Sequence, residues 1–170
     1  MVILKLPEIK IKEYIYSSKT NNMKIILPEK VLKYIHKECI SAKGYETGGI
    51  LIGDYSSDLI EAKIISALGP TEDSKKGLCS FYRGTKDLKK IFNLSWKTKK
   101  FYIGEWHYHP NSSSIPSSVD IKQMITISQS KKANCPEPIL LVVGGNKKLW
   151  NHTILVIKDT QVIYFLDKTK

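Results

Sequence analysis

Two histidines and an aspartate stand out as residues whose types and spacing could do chemistry. His107 and His109 are two of only four histidines in 170 residues, and Asp120 follows eleven positions after the second. In a β-strand, residues i and i+2 point to the same face, so both imidazole rings would be directed to one side. Two imidazoles and one carboxylate, with water in the fourth position, are the ligands of a catalytic zinc ion. The spacing therefore predicts a metal site.

The loop and helix after the histidines must bring Asp120 back to them. Residues 110–116, PNSSSIP, are rich in turn residues and predict a loop that lets the chain reverse. The next residues predict a helix, with Ser117 as its N-cap and Asp120 in its first turn. A capped helix start explains these two residues by itself, but it does not explain the neighbouring histidine pair. We therefore favour the metal site over the purely structural interpretation.

A hydrolytic zinc site also needs a general base, because zinc lowers the pKa of its bound water and a nearby carboxylate can then take the proton. Glu46 is one candidate, since it precedes a glycine-rich strand whose backbone can approach a site closely. Glu105 is the other candidate, since alternation along a strand puts it on the same face as His107 and His109. Spacing alone leaves both open.

The elements that must position these residues form one predicted domain of the α/β (α+β) class. Its sheet is expected to be mixed and mostly antiparallel, flanked by about three helices. Residues 1–22 are predicted to form an N-terminal extension or hairpin, and residues 23–170 the domain itself. The helices are predicted over residues 28–44, 85–100 and 117–132. Each of the first two has one apolar stripe, formed by Val31, Leu32, Ile35 and Cys39 and by Leu88, Ile91, Phe92 and Trp96, respectively.

The glutamate and the histidine segment together resemble the JAMM metalloproteases, the JAB/MPN domain family, and especially its prokaryotic stand-alone branch. The family pattern is a glutamate and, far downstream, H-x-H, seven residues, S, two residues and D. Here it reads Glu46, then His107-Tyr108-His109, seven residues, Ser117, two residues and Asp120. The resemblance spans residues 23–145 in the order of strands and helices, and it implies a JAB/MPN metalloprotease domain.

The resemblance also implies a role for each matching residue. His107, His109 and Asp120 would bind one Zn²⁺ per chain, with water as the fourth ligand. Glu46, rather than Glu105, would be the general acid/base, and Ser117 would hold the water and stabilise the oxyanion. The reaction would be hydrolysis of a peptide or isopeptide bond, typically after the C-terminal glycine of a ubiquitin-like protein.

The family's bacterial members imply partners of two kinds. Some remove ubiquitin-like or nucleotide-cyclase conjugates in antiphage operons of the CBASS type, beside activating and conjugating enzymes, and this setting is our preferred prediction. Others process sulfur-carrier proteins, which is the alternative. In either setting an extended C-terminal tail is expected to lie in a groove beside the zinc and to add to a sheet edge. The strand that starts at Gly48 is one candidate for that edge.

Composition and charge limit the remaining classes. No apolar run is long enough to cross a bilayer and no secretory signal is recognisable, so we expect a cytoplasmic enzyme without a membrane partner. The net charge of +11 favours acidic partners, and nucleic acid is an alternative that we do not favour over a generally solvated basic surface. A DNA-associated JAMM-like domain and a non-catalytic interaction module are further alternatives.

Other residues with reactive side chains are expected to be structural. The three cysteines, at positions 39, 79 and 135, include no C-x-x-C pair and are predicted to be small buried or half-buried residues. A cysteine hydrolase is a further alternative, although no cysteine is close to the histidine pair in sequence. His36 and His152 are predicted to be structural or surface residues, and Trp106 and Trp150 core or sheet-face residues.

Overall fold

A nine-stranded mixed sheet forms the centre of the computed structural model, which describes residues 12–169 of the chain. Three helices pack on it within this range, namely α1 (Glu29–Ser41), α2 (Leu88–Lys97) and α3 (Ser118–Gln129). The strands are β1 (Glu13–Ser17), β2 (Lys24–Pro28), β3 (Thr47–Tyr55), β4 (Glu61–Leu68), β5 (Lys75–Lys76), β6 (Phe81–Tyr82), β7 (Phe101–Pro110), β8 (Ile139–Asn146), β9 (Leu149–Lys158), β10 (Gln161–Phe165) and β11 (Asp167–Thr169). The predicted α+β class is confirmed.

The strand order of the main sheet is β10-β9-β8-β7-β3-β4-β2-β1-β11, and β5 and β6 form a separate hairpin. The β2–β4 and β7–β8 pairs are parallel, and the other neighbours in the main sheet are antiparallel. The sheet is thus mixed and mostly antiparallel, as the sequence predicts. Its strands β3 and β7 lie next to each other at the centre, where they carry the residues of interest.

The two outermost strands of this sheet are close together in the chain. Leu166 alone separates the end of β10 from the start of β11. Two residues of extended chain span about 7 Å at most, so the sheet must curl until its two edges meet.

Both faces of the sheet are buried, each under different helices. The predicted stripe of α1 is buried in the larger core cluster, together with Leu51 and Leu141. On the opposite face, Met124 of α3 packs with Leu140 and Val142, and α2 packs on Ile50 and Ile52. Because neighbouring residues of β8 face the two cores alternately, the strand is a continuous apolar run rather than an alternating one.

Several details of the sequence prediction are wrong. Pro28 is the last residue of β2 and the N-cap of α1 rather than a residue of its first turn. Trp96 belongs to the predicted stripe of α2, yet it is 65% exposed and contacts Phe101 edge-on. Cys79 is exposed, whereas Cys39 and Cys135 are buried as expected. The strand that starts at Gly48 is paired with both β4 and β7 from Ile50 onward and offers no free edge there, whereas Gly48 and Gly49 pair with β7 alone.

The N-terminal segment is described from residue 12 onward. β1 pairs with β2 as an antiparallel hairpin and also with β11, so this part of residues 1–22 continues the main sheet. The sequence also predicts a strand over residues 2–6, VILKL, and these residues lie outside the described part of the chain. The division of the chain at residue 22 stays a prediction.

Candidate metal centre

Three predicted ligands converge at one end of β7. His107, His109 and Asp120 each place one ligand atom within 4.8 Å of the others. His107 Nδ1 lies 2.7 Å from Asp120 Oδ1, and His109 Nε2 lies 3.4 Å from Asp120 Oδ2. Between 8% and 15% of each side chain is exposed, so the cluster is shielded yet reachable.

The neighbouring strands fix the direction of the two histidines. In β7, His107 pairs with Gly48 of β3 on one side and with Val142 of β8 on the other. Two ladders hold this backbone, and the alternation of side chains then directs both imidazoles to one face. Gly48 is required here, because a Cβ would lie 2.6 Å from the carbonyl oxygen of Trp106 and 2.9 Å from Phe81 Cε1.

The loop after β7 is tied to β8 and β9, which sets where α3 begins. Asn111 donates its backbone N–H to the Gly145 carbonyl at 2.8 Å, and Gly145 donates to Ser112 at 2.7 Å. Ser114 Oγ lies 2.9 Å from Thr153 Oγ1 on β9. These contacts reverse the chain as predicted.

The first turn of α3 is a capping box that includes one of the three predicted ligands. Ser117 Oγ accepts a hydrogen bond from Asp120 N at 3.1 Å, and Asp120 Oδ2 accepts one from Ser117 N at 2.7 Å. The Ser117 hydroxyl also donates to Asp120 Oδ2 at 2.7 Å. The capped helix and the convergent ligands therefore exist together, and the cap orients the carboxylate toward the histidines.

Glu46 lies at the same place, just before β3. Its Oε2 is 3.8 Å from His107 Nε2, and its side chain is 16% exposed. Its backbone N–H donates to Gly77 at the turn of the β5–β6 hairpin, at 2.8 Å. Phe81 of this hairpin packs against the His107 ring at 5.7 Å between centroids. The hairpin therefore supports both Glu46 and His107.

The electrostatics of the cluster suit a cation. Burial raises the pKa of Asp120, but hydrogen bonds from His107 and His109 outweigh burial and hold this pKa well below its ordinary value. The hydrogen bond to Asp120 raises the pKa of His109. His107 Nε2 is buried and has no hydrogen-bond partner among the described residues. A buried nitrogen without a partner costs stability, which coordination to a metal ion would offset.

Glu105, the alternative base, lies in the same cavity but is engaged elsewhere. Its side chain is 7% exposed and forms an ion pair with Arg83 at 2.8 Å. It also accepts hydrogen bonds from Tyr102 and Gln123. Burial raises the pKa of Glu105, and the charge of Arg83 opposes that effect.

A cavity of about 460 Å³ opens over the three predicted ligands. The hairpin borders it with Leu78, Cys79 and Phe81, and α3 borders it with Val119. Leu78 and Val119 are 71% and 70% exposed, so they form an apolar rim. The sequence predicts a short strand over residues 79–82, CSFY, and a loop before it, but it did not reveal the hairpin, because a strand as short as β5 has no periodicity to detect.

The remaining two histidines meet on the opposite face of the sheet. His36 Nε2 on α1 lies 2.8 Å from His152 Nε2 on β9. The His36 ring stacks on Trp150 at 4.5 Å between centroids and 7° between planes. Their structural role is as predicted, and Trp106, which is 1% exposed, belongs to the core as expected. The sequence could not show that the two histidines, 116 positions apart, form a pair.

Residues 28–156 match the family model described as prokaryotic homologs of the JAB domain. The chain belongs to this family. The resemblance seen in its sequence is confirmed, and the described JAB domain places Glu46, His107, His109 and Asp120 around one cavity.

Two curated relatives cover most of this JAB domain. One is the CD-NTase/cGAS isopeptidase of Enterobacter hormaechei subsp. hoffmannii (strain UCI 50), which is 35% identical over 146 residues, 86% of this chain and 81% of the relative. The other is the probable metalloprotease y4qB of Sinorhizobium fredii (strain NBRC 101917 / NGR234), which is 29% identical over 131 residues, 74% of this chain and 79% of the relative. The chain is a metallopeptidase of the JAB family.

Two solved structures share the fold. Protein DSY2949 from Desulfitobacterium hafniense has a TM-score of 0.60 and 16% identity, covering 80% of this chain and 86% of that one. A protein from Salinibacter ruber (strain DSM 13855) has a TM-score of 0.53 and 14% identity, covering 83% and 87%, respectively. At these identities the likeness concerns the fold alone. Among the described residues, no helix has both the length and the apolar character that a membrane crossing requires.

Proposed function

We propose that this JAB domain is a zinc-dependent isopeptidase of the cytoplasm that cleaves the bond after the C-terminal tail of a ubiquitin-like or similarly conjugated protein. One observation supports the proposal above all others. Two imidazoles and a carboxylate converge within 4.8 Å, and a second carboxylate, Glu46, lies 3.8 Å from His107. This is the ligand set of a catalytic zinc with a general base beside it.

His107, His109 and Asp120 would hold the ion. Zinc, when bound, acts as a Lewis acid toward the scissile carbonyl and lowers the pKa of a water molecule. The capping box of α3 directs Asp120 at the histidines, and the two ladders of β7 keep the imidazoles on one face. The protein thus holds the three ligands before the ion arrives.

Glu46 would take the proton from the attacking water and deliver it to the leaving amine. Its place supports this role, because its backbone is held by Gly77 and its carboxylate borders the cavity. Both Glu105 oxygens, in contrast, already accept hydrogen bonds from protein donors. Glu46 is therefore the better base.

Ser117 would stabilise the oxyanion and help to hold the water. Its hydroxyl lines the cavity and donates to Asp120 Oδ2 at 2.7 Å. A hydroxyl can redirect its single proton toward a developing negative charge, because it rotates freely about its C–O bond.

The cavity and its rim support a tail-like substrate. A volume of about 460 Å³ suits a short extended segment rather than a folded domain. The Enterobacter hormaechei relative is named as a CD-NTase/cGAS isopeptidase, so a conjugated nucleotide cyclase of an antiphage (CBASS-type) system is our first choice of substrate. Activating and conjugating enzymes of the same system would be functional partners.

The alternative functions have less support. Processing of a sulfur-carrier protein would use the same site with a different C-terminal tail. No residue of the cavity favours one of these two substrates over the other. A DNA-associated role is supported only by the basic surface, such as the lysines beside the depression on α2. A non-catalytic module would not need Glu46 to lie beside His107, His109 and Asp120.

The test is cleavage of model fusions in which the tail of a ubiquitin-like protein, or the C-terminus of a nucleotide cyclase, is joined to a reporter. Wild-type protein, Glu46→Gln and a chelator-treated sample are compared, and zinc content is measured on the same samples. We expect wild-type cleavage, its loss with chelator and its recovery with Zn²⁺. Glu46→Gln should bind zinc at one ion per chain and lose at least about 100-fold in rate, because general acid–base catalysis contributes about 10²- to 10⁴-fold.

Two results would contradict the proposal. A folded protein that binds no zinc would favour the non-catalytic module. Cleavage that persists in Glu46→Gln or in chelator would assign the reaction to other groups.

A further inference from the structure

Glu105 is a buried charge for which the proposed reaction has no direct use. It lies on β7 two residues before His107, and 6% of the residue is exposed. Its Oε1 accepts hydrogen bonds from Arg83 Nε at 2.8 Å and from Tyr102 at 3.1 Å, and its Oε2 accepts one from Gln123 at 2.9 Å. We call these four residues the Glu105 network.

The Glu105 network joins the three parts of the chain that surround the metal centre. Glu105 belongs to the strand that carries both histidines, and Gln123 belongs to α3, three residues after Asp120. Arg83, the only arginine of the sequence, directly follows the hairpin whose Phe81 packs on His107. The network therefore links the strand, the helix and the hairpin at one carboxylate.

The desolvation cost of the Glu105–Arg83 ion pair indicates that the pair contributes to geometry rather than to stability. Removing a carboxylate and a guanidinium from water costs several kcal/mol per ion, and packed apolar residues often replace such pairs without loss of stability. Directional hydrogen bonds, in contrast, fix distance and angle in a way that apolar contacts do not. The contribution of the Glu105 network is therefore the relative position of the elements that it joins.

We propose that Glu105 and Arg83 are positioning residues, which set the distance between the two histidines of β7 and Asp120 of α3 and thereby the metal affinity of the centre. The inference rests on the proposed function, because it takes His107, His109 and Asp120 as the ligands. The new element is that two residues outside the family pattern, Glu105 and Arg83, orient these ligands. Outer partners of metal ligands typically contribute about 10- to 100-fold in metal affinity.

The test measures the affinity for Zn²⁺ by competition with a chromophoric chelator in the full-length chain. Glu105→Gln and Arg83→Gln keep side chains of similar length but remove one charge each, and we expect each to bind Zn²⁺ about 10- to 100-fold more weakly. The visible absorption spectrum of bound Co²⁺ should also change, because it reports the arrangement of the ligands. Glu137→Gln is the matched control, because it breaks an ion pair with Lys158, away from the centre, and should leave both readouts unchanged.

Gln123→Ala keeps the experiment decisive if the charge variants do not fold. Gln123 is exposed, and its replacement by alanine removes only the hydrogen bond that joins α3 to Glu105. We expect a folded protein with about 10-fold weaker Zn²⁺ binding, the lower end of the same range. Circular dichroism checks the fold of every variant.

The outcomes separate this inference from the proposed function. Wild-type affinity and an unchanged Co²⁺ spectrum in the folded variants would overturn the positioning role and leave the metal centre standing. A wild-type chain that binds neither ion would overturn both proposals. Weaker binding in the network variants, but not in Glu137→Gln, would support the positioning role.

Discussion

At the residue scale, Asp120 shows how one side chain can serve the fold and the chemistry together. One carboxylate oxygen closes the capping box with Ser117, and the other faces His107 Nδ1 at 2.7 Å. The helix start therefore forms in the same geometry that presents the Asp120 carboxylate to the histidines. The sequence suggested two competing interpretations of Asp120, and the structure shows that they are compatible.

Cys79 provides a residue-scale test of the cysteine-hydrolase alternative, because it is exposed and borders the same cavity. We expect Cys79→Ser to keep the cleavage rate within about two-fold of wild type, as surface substitutions usually change free energies by about 0.5 kcal/mol or less. The physical reason is that His107 Nδ1 is directed at Asp120 rather than at a thiol. The measurement is the initial rate on the model fusion, with zinc content determined in parallel. A Cys79→Ser protein with full zinc and no activity would assign the nucleophile to the thiol.

At the scale of elements, the strands and helices with strong periodicity were predictable. The strand around His107, the helix after Ser117 and the stripe of α1 all appear where apolar spacing places them. The convergence of the three predicted ligands was predictable as well, because local spacing within one strand and one loop brings them together. Arg83 and Gln123 could not be found in this way, because they meet Glu105 only through packing of the hairpin and α3 against β7.

The cap of α3 has a measurable effect on stability. Ser117→Ala removes the hydroxyl that accepts from Asp120 N, and loss of such an N-cap costs about 0.5–2 kcal/mol. We therefore expect a lower free energy of unfolding in urea, measured in chelator so that metal binding does not contribute. Ser128→Ala is the control at the other end of α3, where the hydroxyl bonds to the helix backbone at Ile125. Equal stabilities of the two variants would show that the capping box does not hold the helix start.

At the scale of the whole molecule, the histidine pair joins α1 to the sheet. His36 and His152 are 2.8 Å apart, and one neutral ring must donate to the other. Burial lowers the pKa of each from 6.5 to about 4, and the charge of Lys168 on β11 acts in the same direction. In the folded protein both histidines therefore stay neutral until the pH falls to about 4. In the unfolded chain they become protonated below about pH 6.5.

This difference predicts a sensitivity to acid. A lowered pKa in the folded state means that the contribution of the pair is fully present above pH 6.5 and is lost as the pH falls toward about 4. We expect the double variant His36→Gln/His152→Gln to lose less free energy of unfolding than wild type over that interval. Urea unfolding at several pH values, with chelator in all samples, makes the comparison. Identical losses in both proteins would assign the acid sensitivity to other groups.

The pairing of β1 with β11 has a consequence for synthesis of the protein. Ile15 of β1 pairs with Thr169 of β11, so these partners are 154 positions apart. At about 5–20 residues per second, β1 leaves the ribosome roughly 8 to 30 seconds before β11. During that interval its outer backbone groups can pair with strands of other chains, as unpaired edges do. Arrival of β11 ends this exposure, and the same three-residue strand that completes the sheet also protects the newly made chain from aggregation.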